Sequence, residues 1–131
     1  MCQKFQESDF DSVSNFNAMV TIEEARNLAL SFPETDEHPH FDKKAFRVKK
    51  KIFATLDGKA CRMMVKLSST NQSVFCSYNS EVIYPVPGGW GRQGAAFIEL
   101  KKVRKSMFRD ALTTAYCNVA PPKLGDQFRL E

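Results

Sequence analysis

The hydrophobic pattern between residues 43 and 67, KKAFRVKKKIFATLDGKACRMMVKL, predicts three short strands joined by tight turns. The apolar runs place these strands at Ala45 to Lys49, Ile52 to Leu56 and Ala60 to Leu67. The Asp57-Gly58 pair between the second and third runs is typical of a hairpin turn. The middle of the chain is therefore predicted to fold as an antiparallel meander.

Side chains alternate between the two faces of a strand, which divides the meander into an apolar face and a basic one. On the second strand the alternation assigns Ile52 to the core and Phe53 to the opposite face. The core side of the third strand is formed by Cys61, Met63, Val65 and Leu67. The other face is predicted to be cationic, with Arg47, Lys49, Arg62 and Lys66 around Phe53 and Met64.

Three helices are predicted around the meander. The first begins at Thr21, which forms a capping box with Glu24, and ends at Pro33. The second is capped by Ser68-Ser69 and runs to about Tyr78, with Val74, Phe75 and Tyr78 at its apolar positions. The third runs from Lys102 to about Cys117, because Val103, Met107, Phe108, Ala111, Leu112 and Ala115 recur at helical spacing.

Two further strands are predicted at residues 81–86 and 95–100, separated by the turn-rich stretch PGGWGRQG around Trp90. Residues 34–42 are interpreted as a polar connection or an edge strand, and residues 118–131 as a surface tail. Residues 1–20 show no sustained period and are interpreted as an N-terminal extension. The predicted fold is one α+β domain over residues 21–131, an antiparallel sheet of about five to six strands packed against N-terminal and C-terminal helices.

Composition narrows the setting of this domain. A chain of 131 residues with 43% hydrophobic content buries enough apolar surface for one domain. Its four cysteines show no CxxC spacing, which favours a reducing, cytoplasmic compartment. Neither a signal peptide nor an apolar run long enough to span a membrane is evident, so we expect neither secretion nor membrane insertion.

The net charge of +4 conceals a strong segregation along the chain. Residues 1–42 contain two basic and nine acidic side chains, whereas residues 43–66 contain nine basic and one acidic side chain. A concentrated positive region attracts polyanions by counterion release, although a basic run is more often a solvated face. Both interpretations stay open at the level of charge alone.

The sequence lacks the motifs that common enzyme classes require. It contains no GxSxG, no phosphate-binding loop, no HExxH and no dinucleotide fingerprint, so no enzymatic activity and no cofactor are predicted. A Cys and His pair that meets only in space stays open. So does a metal or small-molecule site around Trp90, Tyr84 and His38 or His40, because imidazole is a good ligand for divalent ions.

The segment ALSFPETDEHPHFDKKAFRVKKKIFATL, from Ala29 to Leu56, resembles the MmcQ/YjbR family in the order and spacing of its residues. Gly89-Trp90 and the helix that runs into Ala115-Tyr116 extend the resemblance over about residues 21 to 119, although Ala115 stands where the family often has Ser. The resemblance implies a small α+β domain similar to frataxin-like and double-wing topologies. It also implies DNA binding, and its matching positions are Phe46, Arg47, Lys51 and Trp90, with no catalytic role.

Taken together, these observations predict a non-enzymatic DNA-binding protein that contacts phosphates through its basic sheet face. The predicted nucleic-acid-binding residues are Arg47, Lys49, Lys50, Lys51, Arg62, Lys66, Trp90 and Arg92. The alternative is a protein-interaction or regulatory domain whose basic face meets an acidic partner or the acidic N-terminal third of its own chain. No catalytic or metal-ligating residue is assigned.

Overall fold

The computed structural model describes residues 20–125, in which helices are interspersed with short strands. In chain order the elements are α1 (Ile22–Ser31), β1 (Thr35–His40), β2 (Lys43–Val48), β3 (Lys51–Asp57), β4 (Arg62–Lys66), α2 (Ser69–Tyr78), β5 (Ile83–Pro85), α3 (Gly89–Arg92), β6 (Ala95–Glu99), α4 (Lys105–Val119) and α5 (Pro122–Gly125). The helix α1 begins as predicted, with Thr21 and Glu24 bonded reciprocally in a capping box. The predicted α+β class is confirmed.

The strands form one antiparallel sheet of six strands in the order β1-β2-β3-β4-β6-β5. The first four are joined by tight hairpins, as the turn residues indicate. Residues 34–42, for which the sequence allowed a connection or an edge strand, contain β1 at the edge of the sheet. Pro39 is tolerated there because an edge strand leaves one row of N–H groups unpaired.

The hydrophobic core lies on one face of the sheet, beneath α1 and α4. Phe32 at the end of α1 stacks on Tyr116 of α4, with ring centroids 4.6 Å apart, and Phe53 of β3 meets Tyr116 edge-on at 5.4 Å. The Tyr116 hydroxyl donates a hydrogen bond of 2.8 Å to the Pro33 carbonyl oxygen. These contacts fix the end of α1 against the C-terminal half of α4.

The assignment of Phe53 to the cationic face was wrong. A β-bulge shifts the register between β2 and β3, so that Phe46 pairs with Ala54 and Arg47 pairs with Ile52. The extra residue is Phe53, which is fully buried in the core, while Ile52 is only partly buried. A bulge adds one residue to one strand and reverses the alternation beyond it, which a strict period of two does not anticipate.

The turn between β2 and β3 consists of Lys49 and Lys50, both with positive φ, at 52° and 67°. Positive φ at both central residues is the geometry of a type I′ hairpin, which matches the twist of the flanking strands. Lys49 therefore lies in the turn and not on the first strand of the meander, where the sequence placed it. The lysines of this turn project from one end of the sheet.

The other helices differ from their predictions in detail. In α2, Phe75 packs against the core as predicted, together with Cys76, whereas Val74 and Tyr78 are exposed. The stretch predicted as a loop around Trp90 contains the single turn α3. The long helix begins at Lys105 instead of Lys102 and ends at Val119, and the expected surface tail includes α5.

The described residues bear only in part on the predictions for the N-terminal extension, membrane insertion and the cellular compartment. Of the predicted extension, residues 1–19 lie outside the described residues. Within residues 20–125 the longest helix has 15 residues, and no helix there has the length and apolar character that crossing a membrane demands. Cys76 carries a free thiol, whereas Cys61 is disulfide-bonded. The reducing compartment therefore stays a prediction.

Candidate functional site

The predicted binding residues occupy two regions of the sheet. The outer face is the face opposite the core, and the register places Arg47, Arg62, Lys66 and Met64 on it. The basic sheet end is the end where β2 finishes and β3 and β6 begin. It carries Lys49, Lys50, Lys51, Lys66, Trp90 and Arg92.

On the outer face, Arg47 is paired across to β1. Its Nε donates to Asp36 Oδ1 at 2.9 Å and its Nη2 donates to Asp36 Oδ2 at 3.1 Å, a bidentate arrangement. The hydrogen bond from Arg47 lowers the pKa of the Asp36 carboxyl. This pairing occupies one edge of the guanidinium and places a carboxylate beside it, so Arg47 has fewer donors and less net positive charge to offer a phosphate.

Arg62 belongs to a polar and aromatic cluster on the outer face. Its guanidinium lies 3.9 Å from the centroid of the Phe97 ring and donates a hydrogen bond of 3.3 Å to the Tyr84 hydroxyl. Tyr84 donates in turn to Glu99. Burial and, to a smaller extent, this hydrogen bond raise the pKa of the Tyr84 phenol. The Nε of Arg62 is buried and has no hydrogen-bond partner among residues 20–125. Arg62 is thus held by its neighbours.

The acidic third of the chain supplies the carboxylates of the ion pairs described for residues 20–125. The pairs are Lys105 with Glu24, Lys49 with Glu34, Arg47 with Asp36, Arg26 and Lys44 with Glu37, and Lys43 with Asp42. Four of these cations come from the basic segment 43–66. The charge segregation seen along the sequence is therefore partly cancelled in space, because β1 and its flanking residues lie beside β2.

At the basic sheet end the cations are less engaged. Lys50, Lys51 and Arg92 are exposed, and none of them forms an ion pair within the described part of the chain. Lys49 pairs with Glu34 at 2.8 Å, but both side chains are about half exposed, so this pair contributes little. Lys66 Nζ lies 4.6 Å from the centroid of the Trp90 ring. This end of the sheet is predominantly positive.

The loop that carries Trp90 is firmly built onto the sheet. Gln72 of α2 donates 2.8 Å hydrogen bonds through its Nε2 to the carbonyl oxygens of Gly91 and Ala95. A Cβ at Gly91 would lie 1.6 Å from the Val86 carbonyl oxygen, and one at Gly94 would lie 2.0 Å from the Leu67 carbonyl oxygen. The glycines therefore permit a close approach of backbones that positions the indole, which remains 45% exposed.

The histidines and the aromatic residues of the alternative small-molecule site do not converge. His38 and His40 point to the outer face from the edge strand, whereas Trp90 lies at the basic sheet end. Tyr84 lies on the opposite edge strand and is bonded to Arg62 and Glu99. Within residues 20–125 no group of three or more His, Cys, Asp or Glu side chains could hold a metal ion.

Sequence reasoning missed Asp36, Gln72, Glu99 and Asn118 as partners of the candidate residues. Asp36 could have been found by pairing the segment 34–42 as an edge strand, since acidic residues then alternate opposite basic ones. Gln72 and Asn118 act through contacts between residues far apart in the chain, for which the sequence contains no local signal.

Comparison with known proteins identifies similar sequences and folds. The family model for YjbR matches residues 30–118. The crystal structure of Deinococcus radiodurans protein DR2400, with a DUF419 domain, has a similar fold with a TM-score of 0.67 and 19% sequence identity. The similarity covers 77% of this chain and 79% of that one. No match is found among curated protein sequences.

Proposed function

The chain belongs to the YjbR family, and we propose that it is a non-enzymatic DNA-binding protein that contacts phosphates with the basic sheet end. The observation that carries the proposal is the convergence of Lys49, Lys50, Lys51, Lys66 and Arg92 at one end of the sheet, beside the exposed ring of Trp90. The proposal assigns no catalytic residue and includes a cytoplasmic location.

The geometry favours the end of the sheet over its face. Neighbouring strands are about 4.8 Å apart, so the β2–β3 turn and the start of β6 are separated by roughly 10–15 Å, a span that two or three phosphates of one strand can cover. Arg47 and Arg62 on the outer face already have polar partners within the fold. They are therefore expected to add less to phosphate binding than the sequence indicates.

The proposal is tested by measuring the affinity for a short DNA duplex at several salt concentrations by fluorescence anisotropy. Each phosphate contact contributes about −0.9 to the slope of log K against log salt. We expect the triple change Lys50→Ala, Lys51→Ala and Arg92→Ala to reduce this slope by up to about 2.7. Arg47→Ala is expected to leave the slope nearly unchanged.

A control of equal charge comes from the opposite end of the sheet. The start of β2 and the ends of β3 and β6 lie there and carry Lys43, Lys59 and Lys101. Replacing these three lysines by Ala removes three positive charges, as many as the test variant loses. The control is expected to retain the slope of the unchanged protein. A salt-independent affinity, or equal loss in both triple variants, would rule the proposal out.

A second candidate function, a protein-interaction or regulatory domain, is favoured by the ion pairs of residues 34–42. These carboxylates neutralise part of the basic segment and reduce what it offers to DNA. Glu34→Gln together with Asp36→Asn releases Lys49 and Arg47, and increased DNA affinity in this variant supports DNA as the ligand. A protein that copurifies with the full chain, with no duplex binding at any salt concentration, supports the second candidate.

A further inference from the structure

A cavity of about 300 Å³ opens at the basic sheet end. It is lined by Lys66, Leu67, Trp90, Gln93, Ala95 and Asn118, which come from β4, the Trp90 loop, β6 and the last turn of α4. Its volume is at the lower limit of cavities that bind small organic ligands. The cavity shares Lys66 and Trp90 with the site proposed above, whereas Gln93, Ala95 and Asn118 have no role in the proposed phosphate contacts.

The chemistry of the lining combines a flat aromatic ring, a cation and two carboxamides. Trp90 is 45% exposed, and Lys66 Nζ lies over one face of its ring, so stacking of a ligand requires the other face or displacement of this ammonium group. Asn118 Nδ2 donates a 3.1 Å hydrogen bond to the Lys66 carbonyl oxygen, which fixes the amide and leaves its Oδ1 available as an acceptor. Gln93 adds a second carboxamide, and Lys66 Nζ lies above the ring.

This combination matches a nucleobase with its attached phosphate. Every base presents a flat face that stacks on an aromatic ring, and amides bond the donors and acceptors at the edges of bases. A base inside a duplex does not offer both its faces and its pairing edge, because stacking and pairing occupy them. A site of this kind therefore discriminates by whether the base is paired.

We infer that this cavity accepts a single unpaired nucleobase, stacked on Trp90 and bonded at its edge by Asn118 and Gln93, with its phosphate near Lys66. The inference rests on the proposed function in taking nucleic acid as the ligand, and it narrows that ligand to strands with unpaired bases. Because the loop is fixed by Gln72, Gly91 and Gly94, the ring is already positioned before a ligand arrives.

The experiment uses the single tryptophan of the chain as the reporter. A single-stranded oligonucleotide, a hairpin duplex of the same length and a mononucleotide are titrated at one salt concentration while the fluorescence of Trp90 is recorded. We expect saturable quenching by the single strand, at an affinity about tenfold or more above that for the duplex. Weaker quenching by the mononucleotide identifies a strand as the source of the base, and equal affinity for the mononucleotide overturns that source.

Variants are compared by anisotropy with a labelled single strand. Trp90→Ala is expected to weaken binding by about 5- to 150-fold, the range for loss of one stacked base. Trp90→Phe keeps a stacking ring and is expected to restore most of the affinity, which separates stacking from misfolding. Phe41→Ala is the matched control, because Phe41 is 92% exposed in the β1–β2 turn at the opposite end of the sheet.

The outcomes distinguish this inference from the proposed function. Equal affinity for single strand and duplex, with no loss in Trp90→Ala, overturns the unpaired base and leaves phosphate binding in place. A salt-independent response to both ligands, without quenching, overturns the proposed function and the inference with it.

Discussion

Gly94 illustrates how much the candidate site depends on single residues. It has a φ of +119°, and a Cβ there would lie 2.0 Å from the Leu67 carbonyl oxygen. Gly58 in the β3–β4 turn differs on both counts, because its φ is not positive and nothing lies within 4 Å of its Cβ position. Of these two glycines, Gly94 alone therefore occupies a position where the fold requires the absence of a side chain.

We expect Gly94→Ala to lower the free energy of unfolding by more than about 2 kcal/mol, because both the backbone strain and the collision with Leu67 must be relieved by movement. Gly58→Ala is expected to stay within about 1 kcal/mol of the unchanged protein. Urea unfolding followed by circular dichroism measures both values. Similar stability of the two variants would contradict the close packing of the loop on β4.

At the scale of elements, the β-bulge in β3 decides what the meander presents to solvent. It turns Phe53 into the core, against Phe32 and Tyr116, and leaves Ile52 on the outer face opposite Arg47. Without the bulge, a large aromatic ring would lie among the cations and a cavity would remain under α4. The bulge thus completes the core at the cost of one irregular pair in the sheet.

Alanine substitutions at the two neighbouring positions test this assignment. We expect Phe53→Ala to cost about 3–5 kcal/mol of unfolding free energy, the usual range for removing a buried aromatic side chain. Ile52→Ala is expected to cost less than about 2 kcal/mol, since Ile52 is only partly buried. The unfolding free energies of the two variants are compared from their denaturant midpoints at constant m-value. A larger loss at Ile52 would indicate that β3 follows simple alternation without a bulge.

For the whole molecule, the dominant electrostatic feature is the contact between the acidic segment and the basic one. The pKa of Asp36 is lowered by its hydrogen bond from Arg47. The pKa of Glu37 is lowered because hydrogen bonds from Arg26 and Lys44 outweigh the opposing effect of burial. Each pair is at least partly exposed and individually weak, and together the pairs link β1 to β2 and to α1.

The lowered pKa values predict how stability depends on pH. A carboxyl whose pKa is lower in the folded state contributes stability that is complete above its unfolded pKa of about 4 and is lost as the pH falls through the folded value. We therefore expect the melting temperature to decline below about pH 4, with a shallower decline in Asp36→Asn. Glu81→Gln is the control, since Glu81 has no ion pair within residues 20–125. An identical decline in all three proteins would contradict this account.

The sequence by itself determined the elements whose signals are local. The capping box at Thr21, the Asp57-Gly58 turn, the apolar period of α4 and the alternation along β4 each involve residues within one or two turns of each other. These signals were sufficient for the α+β class and for placing Arg62 and Lys66 on one face. The order and spacing of the residues were also sufficient to identify the family.

Only the tertiary structure decided which cations remain available and where they gather. The partners of Arg47 and Arg62 depend on strand pairing. The cavity beside Trp90 requires Asn118, which is distant in the sequence and belongs to α4. The bulge at Phe53 follows from packing under α4 and not from any period along β3. Contacts between residues distant in the chain depend on the whole fold, so no local pattern of apolar and polar positions determines them.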